Sequence, residues 1–143
     1  MSTIRSKVYL YVIRQAPSGP QLLVMMQEGD AGLQVPGGTV ESGEKLAQAA
    51  RRELLEEAGL EILTEPRFLD RYSWDNPWKQ NVHDRSVYVI DAPPGLPEEW
   101  DHQVTGHGED CGLMFRYRWM GLDEAAKELA YDFGQSITKL PIK

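Results

Sequence analysis

One cysteine, Cys111, is all that the chain carries among its 143 residues. No intrachain disulfide can form, so a reducing, cytoplasmic setting is the expectation. Cys111 itself reads as a small structural residue, because a nucleophilic thiol needs an activating base that the sequence does not show. Long hydrophobic runs are missing too. The apolar stretch from Val8 to Ile13 is too short for a membrane span, and no signal-peptide cleavage pattern follows it. No membrane partner is expected. Basic residues are in deficit, 15 Lys and Arg against 22 Asp and Glu, for a net charge of −7. Polymeric nucleic acid needs a basic surface, so that partner class is set aside. An anionic small molecule stays admissible where metal ions or a few placed cations offset the field. Repeats, low-complexity tracts and linkers are absent. What is present is ordinary globular material, 41% apolar and 26% charged, at a length that suits one domain over residues 1–143.

The segment from Lys7 to Ile13 is apolar on both faces of its alternation, which predicts a strand covered on two sides. Ala16-Pro17-Ser18-Gly19-Pro20 is a turn by composition, and Gln21 to Gln27 reads as a hairpin partner. Gly32 to Gly38 is a short extended piece ending in a turn. Ser42 is the predicted cap of a helix that runs to about Ala58 and stops at Gly59. Strands are expected from Arg67 to Ser73, Ser86 to Asp91 and Leu113 to Met120, and a second amphipathic helix from Leu122 to Phe133. Two helices then cover the two faces of a mixed sheet. The expected class is an α/β/α sandwich.

The helix from Ser42 to Ala58 carries the chemistry. Arg52-Glu53-Leu54-Leu55-Glu56-Glu57 puts three carboxylates within a stripe roughly 100° wide. Leu46, Ala49 and Ala50 share that side, so acidic groups stand where an apolar stripe would continue. Like charges at this spacing repel, and Arg52, four residues before Glu56, neutralises only one of them. Mg²⁺ or Mn²⁺ suits the remainder, being held by a few carboxylates together with substrate phosphates. Gly37-Gly38 ahead of the helix allows a close backbone approach and a carbonyl ligand. Glu44 is placed in the first turn, where the helix dipole favours it.

These residues match the Nudix box, G, five residues, E, seven residues, then R-E-U-x-E-E-x-G-U with U aliphatic. Here they are Gly38, Glu44, Arg52-Glu53-Leu54, Glu56-Glu57 and Gly59-Leu60, with every specified position filled. At average residue frequencies such a match arises by chance in fewer than roughly one chain in a million. The chain thus resembles the Nudix hydrolases. That resemblance implies an α/β/α Nudix fold and hydrolysis of a nucleoside diphosphate linked to a further group X. It implies that Gly38, Glu53, Glu56 and Glu57 hold Mg²⁺, with Arg52 and Glu44 ordering the carboxylates. The general base is a box glutamate in some members and a later loop glutamate in others. Leu113 occupies one familiar loop position, so Glu53 or Glu57 is the expected base, with Glu109 a supplementary ligand or base.

Nucleobases are held by stacking and by edge hydrogen bonds. Tyr72, Trp74, Trp78 and Trp119 are candidate platforms, Trp78 foremost since it follows Asn76-Pro77 in a loop. Asn76 and Asn81 could read edges, and Arg5, Lys7 and Arg14 could meet phosphate. His83, His102 and His107 show no metal-ligand spacing, and each reads as structural or solvent-facing. No signature of coenzyme A, ADP-ribose or dinucleoside polyphosphate hydrolysis stands out. The residual expectation is a (deoxy)nucleoside triphosphate cleaved to monophosphate and pyrophosphate. Dinucleoside polyphosphates, nucleotide sugars of the ADP-ribose type and a non-catalytic nucleotide-sensing module are the alternatives, and a homodimer is left open.

Overall fold

Val8 to Ile13 are all buried, and this two-sided strand organises the molecule. A computed structural model describes residues 3–29, 32–106, 108 and 110–141. β1 (Thr3–Ala16) turns back into β2 (Gly19–Gln27), followed by the short β3 (Leu33–Gln34) and β4 (Gly37–Thr39), and then α1 (Leu46–Ala58). After α1 come β5 (Arg67–Asp75), β6 (Asn81–Asp91), β7 (Glu99–Gln103), β8 (Met114–Gly121) and α2 (Leu122–Glu128), with a 3-10 turn at Ile137–Lys139. The sheet order is β5-β6-β1-β2-β8-β7, with β3 on β2 and β4 on β1. All pairs are antiparallel except β1 with β6, which run parallel from Thr3↔Asn81 to Ile13↔Asp91. This is a mixed, open sheet with helices on both sides.

The strand alternation sorts the core into two layers. Val8, Leu10 and Val12 meet Ala50 and Leu54 of α1, while Tyr9, Tyr11 and Ile13 meet Ala125 of α2 and Phe133. In β8 the expected alternation holds, with Phe115 and Tyr117 buried and Arg116 exposed. Among the described residues, no helix is long and apolar enough to cross a membrane.

Four expectations need correction. Ser42 does not cap α1; the helix starts at Leu46, and the Lys45 N–H is met by Gln48 Oε1 at 3.0 Å. Glu44 therefore precedes the helix. The second helix ends at Glu128, not Phe133. Leu129 is extended and bridges Leu33, and Tyr131 and Asp132 take positive φ (55° and 63°). The helical ladder is abandoned where the Ala130 N–H donates to Leu33 O at 2.9 Å instead of to the preceding turn, and sheet donors then hold the carbonyls that follow: Arg85 Nη1 bonds Tyr131 O (2.6 Å), Tyr72 Oη bonds Asp132 O (3.0 Å) and Tyr11 Oη bonds Phe133 O (2.5 Å). β7 was not foreseen, being five residues long and mostly polar. Cys111 is exposed and is not a buried structural residue.

Candidate active site

Helical spacing makes Ala49, Ala50, Leu54 and Ala58 the buried face of α1, and Glu53 and Glu57 fall on that same face. They are only 8% and 5% exposed. Gly59, at φ 72°, ends the helix with its N–H reaching the Leu54 and Leu55 carbonyls. β4, held to β1 through Val8↔Gly38 and Tyr9↔Gly37, brings its backbone over the two buried glutamates. The Gly37 N–H donates to Glu57 Oε1 at 2.9 Å. A Cβ at Gly38 would lie 2.5 Å from the Glu53 carboxylate. Only glycine permits that approach.

Arg52 is the hub of the cluster. Its Nε and Nη2 clasp both oxygens of Glu44 at 2.8 and 2.9 Å, and Nη2 also donates to Thr39 O at 2.9 Å. Nη1 donates to Glu53 at 2.9 Å and Glu56 at 3.2 Å, while Nε lies 3.0 Å from Glu41. The hydrogen bonds from Arg52 hold the Glu44 carboxyl below its ordinary range. Burial pushes Glu53 upward against the pull of Arg52. Glu57 is driven well above the usual carboxylate range by burial first and the Glu53 charge second, with only the Gly37 N–H opposing among its main causes. Several carboxylates thus share a single guanidinium.

That surplus is what a divalent cation would neutralise, and the donors are hard oxygens suited to Mg²⁺ or Mn²⁺. Among the described residues, no three His, Cys, Asp or Glu side chains form a ready cage, since Glu53 and Glu56 both bond Arg52. The fit rests instead on Gly38 lying against Glu53 and on the buried, underneutralised Glu53–Glu57 pair. A cleft of about 240 Å³ opens here, lined by Glu53, Glu56 and Glu57, Thr39, Asp110 and Cys111. The β7–β8 loop forms its other wall, and Gly106, at φ 97°, abuts the Glu56 carboxylate too closely for any Cβ. Glu109 and His107 lie outside the described residues.

The residues expected to meet substrate fall together at the start of β1. Arg5 pairs in register with His83, and His83 with Trp74. Trp78, 67% exposed, lies 6.2 Å from Trp74 and 5.1 Å from Tyr131. His83 is lowered to about 4 by burial first, then by Lys7, Arg85, Arg5 and Lys79. A chain of net charge −7 therefore gathers four cations around one imidazole. Asn81 Oδ1, His83 Nδ1 and Arg85 Nε are buried with no hydrogen-bond partner among the described residues. Lys7 Nζ bonds Thr39 Oγ1 at 2.7 Å, which links this patch to the carboxylate cleft.

Other candidates lie elsewhere. Trp119 is in the α1-side core, its Nε1 on Pro97 O at 3.0 Å. Arg14 pairs with Glu98 and covers Trp119, seven residues along β1 from Lys7. Tyr72 braces the segment after α2. Sequence reasoning missed Arg85, Lys79 and Tyr131. Asn81 to Arg85 holds a single apolar residue, Val82, so no alternation marked the first, and Tyr131 arrives through a backbone turn that no local pattern announces.

Comparison with known proteins agrees with the fold and the family motif. A sequence model of the NUDIX domain matches residues 5–140. An RNA pyrophosphohydrolase of Wolbachia pipientis wMel is 29% identical over 128 residues, covering 81% of this chain and 74% of the relative. The crystal structure of a MutT NUDIX hydrolase from Burkholderia pseudomallei superposes with a TM-score of 0.74 at 18% identity, covering 97% of this chain and 99% of that one. The C. elegans Ap4A hydrolase superposes at 0.65 and 18% identity, covering 96% of each chain. With the box intact and the domain matched from Arg5 to Leu140, the chain belongs to the Nudix hydrolase family.

Proposed function

We propose that the protein hydrolyses the phosphorus anhydride of a (deoxy)nucleoside triphosphate, giving monophosphate and pyrophosphate, with Mg²⁺ as cofactor and Mn²⁺ able to replace it. The observation that carries this reading is the buried Glu53–Glu57 pair, underneutralised and closed over by the Gly37-Gly38 backbone. Gly38 O, Glu53, Glu56 and Glu57 would hold the metal, with Glu109 a supplementary candidate. When bound, the ion screens the phosphate oxygens and acidifies water. The protein's own part is positioning and electrostatics. Arg52, clasped by Glu44, fixes the Glu53 and Glu56 carboxylates on one side of the cleft. Glu53 or Glu57 takes the proton from the attacking water; without the ion, burial raises the proton affinity of both, and a bound cation would offset that rise. Arg5, Trp74 and Trp78, joined by Lys7, His83 and Tyr131, take the nucleoside and distal phosphate by stacking and charge.

A second substrate reading is the 5′-triphosphate end of an RNA. The cation-edged aromatic patch supports it, as does the activity named for the Wolbachia relative. The net charge of −7 favours the mononucleotide, because a long backbone would be repelled outside the patch. A sensing module without turnover is disfavoured by the complete set of box carboxylates.

The test is a panel of nucleoside triphosphates, dinucleoside polyphosphates, nucleotide sugars and 5′-triphosphate oligonucleotides, scored by product identity with Mg²⁺. Monophosphate and pyrophosphate from a free triphosphate are expected. Glu57→Gln should lower turnover by about 10²-fold or more while the fold survives. Binding of nucleotide without any product would overturn the enzymatic reading.

A further inference from the structure

The last four carbonyls of an α-helix have no partner within the helix. In α1 those of Glu56 and Glu57 belong to the residues that carry the metal-facing carboxylates. Leu55 O accepts from the Gly59 N–H at 3.0 Å. The other three are met from the far side of the fold. Glu56 O receives the Thr105 N–H at 3.0 Å and His102 Nε2 at 3.0 Å. Glu57 O receives Tyr117 Oη at 2.9 Å, and Ala58 O receives Trp100 Nε1 at 3.3 Å. β7 and β8 thus close the helix end on which the site stands.

His102 has a distinct place in this clamp. A carbonyl can only accept, so the Nε2 facing Glu56 must carry its hydrogen. The imidazole sits so tightly under the helix end that a Cβ at Gly59 would lie 2.9 Å from it. It shares the Glu56 carbonyl with Thr105, which opens the loop that brings Gly106 against the Glu56 carboxylate and Asp110 to the wall of the cleft. β7 itself is fixed by pairing His102↔Phe115 and by Trp100 stacked on Tyr117 at 5.2 Å. The contacts of Glu56 with strand and loop therefore meet at one main-chain atom.

We infer that His102 is a positioning residue for the hydrolytic site. Its Nε2–H, together with the Thr105 N–H, sets the last turn of α1 so that the Glu56 and Glu57 carboxylates face one cation, and it ties the β7–β8 loop to that turn. The inference rests on the metal-binding role proposed above, but half of its test does not. His102→Phe keeps a ring under Gly59 and removes the donor, while His102→Gln restores an N–H. In the full-length protein, Mn²⁺ binding followed by electron paramagnetic resonance should weaken about 10-fold in His102→Phe, the scale on which outer partners of metal ligands act. His102→Gln should recover most of it. Turnover should fall with KM for the nucleotide unchanged, and the melting temperature of His102→Gln should match the parent. Amide hydrogen exchange at Gly59 and Leu60, read without metal, should quicken in His102→Phe and return in His102→Gln. Unchanged exchange in His102→Phe, or Mn²⁺ affinity equal to the parent, would overturn the inference. A parent protein that binds no Mn²⁺ would overturn the metal assignment instead, with the exchange data still deciding the role of His102.

Discussion

Gly38 gives Glu53 room that no other residue allows, since a methyl group there would stand 2.5 Å from the carboxylate. Gly38→Ala should therefore push Glu53 out of line and lower turnover by about 10²-fold, the scale of a misplacement near 1 Å. A parent-like rate in a steady-state assay would show that this contact is slack. His83 makes a prediction of another kind. Its pKa falls from 6.5 to about 4 on folding, so protonation favours the unfolded chain. Its contribution to stability is complete above pH 6.5 and is lost as pH falls through 4. Melting curves from pH 7 to 4 should fall less steeply for His83→Gln than for the parent, and the imidazole resonances of the folded parent should titrate near 4. A midpoint above 6 would mean that the surrounding cations are solvated. Little of this was visible beforehand. The carboxylates of α1 could be read from spacing alone, but the cations around His83 come from β1, β6 and the β5–β6 turn.

At the level of elements, the clearest expectations were those with a strong period. β1, β2, β8 and α1 each bury a continuous face, and hydrophobic burial enforces such patterns wherever the chain meets its neighbours. The failures came where tertiary partners outbid local preference. α2 stops early because β3 takes the next amide, Ala130 N–H donating to Leu33 O, while Arg85, Tyr72 and Tyr11 hold the turn through the carbonyls of Tyr131 to Phe133. Tyr11 is fully buried, so Tyr11→Phe leaves the Phe133 carbonyl without a donor and should cost about 1–3 kcal/mol. Urea denaturation with an unchanged slope would measure it. A loss below that range would show the carbonyl finding water. The far end of the same segment is pinned by buried Asp70, which bonds Ser136 Oγ at 2.7 Å and Lys139 Nζ at 3.0 Å beside a bulge in β5.

Over the whole molecule, negative charge gathers around Arg52 in the α1 cleft and positive charge around His83, where the proposed chemistry would need a cation and an anion. Mg²⁺ should accordingly stabilise the folded protein while monovalent salt at equal ionic strength does not. At a hundredfold excess over its dissociation constant the ion adds about 2.7 kcal/mol, read as a raised denaturation midpoint that Glu57→Gln largely abolishes. Equal midpoints with and without Mg²⁺ would contradict the site. The parallel pairing of β1 with β6 has a different consequence, one of timing. The central strand cannot complete its bonding until the residues from Asn81 to Asp91 leave the ribosome. Until then the edge of β1 that β6 will pair stays open, and its Tyr9, Tyr11 and Ile13 face has no helix to cover it, since Ala125 and Phe133 come later still. The polypeptide is most exposed to self-association in that interval, and synthesis paused before residue 81 should yield chains that depend on chaperones.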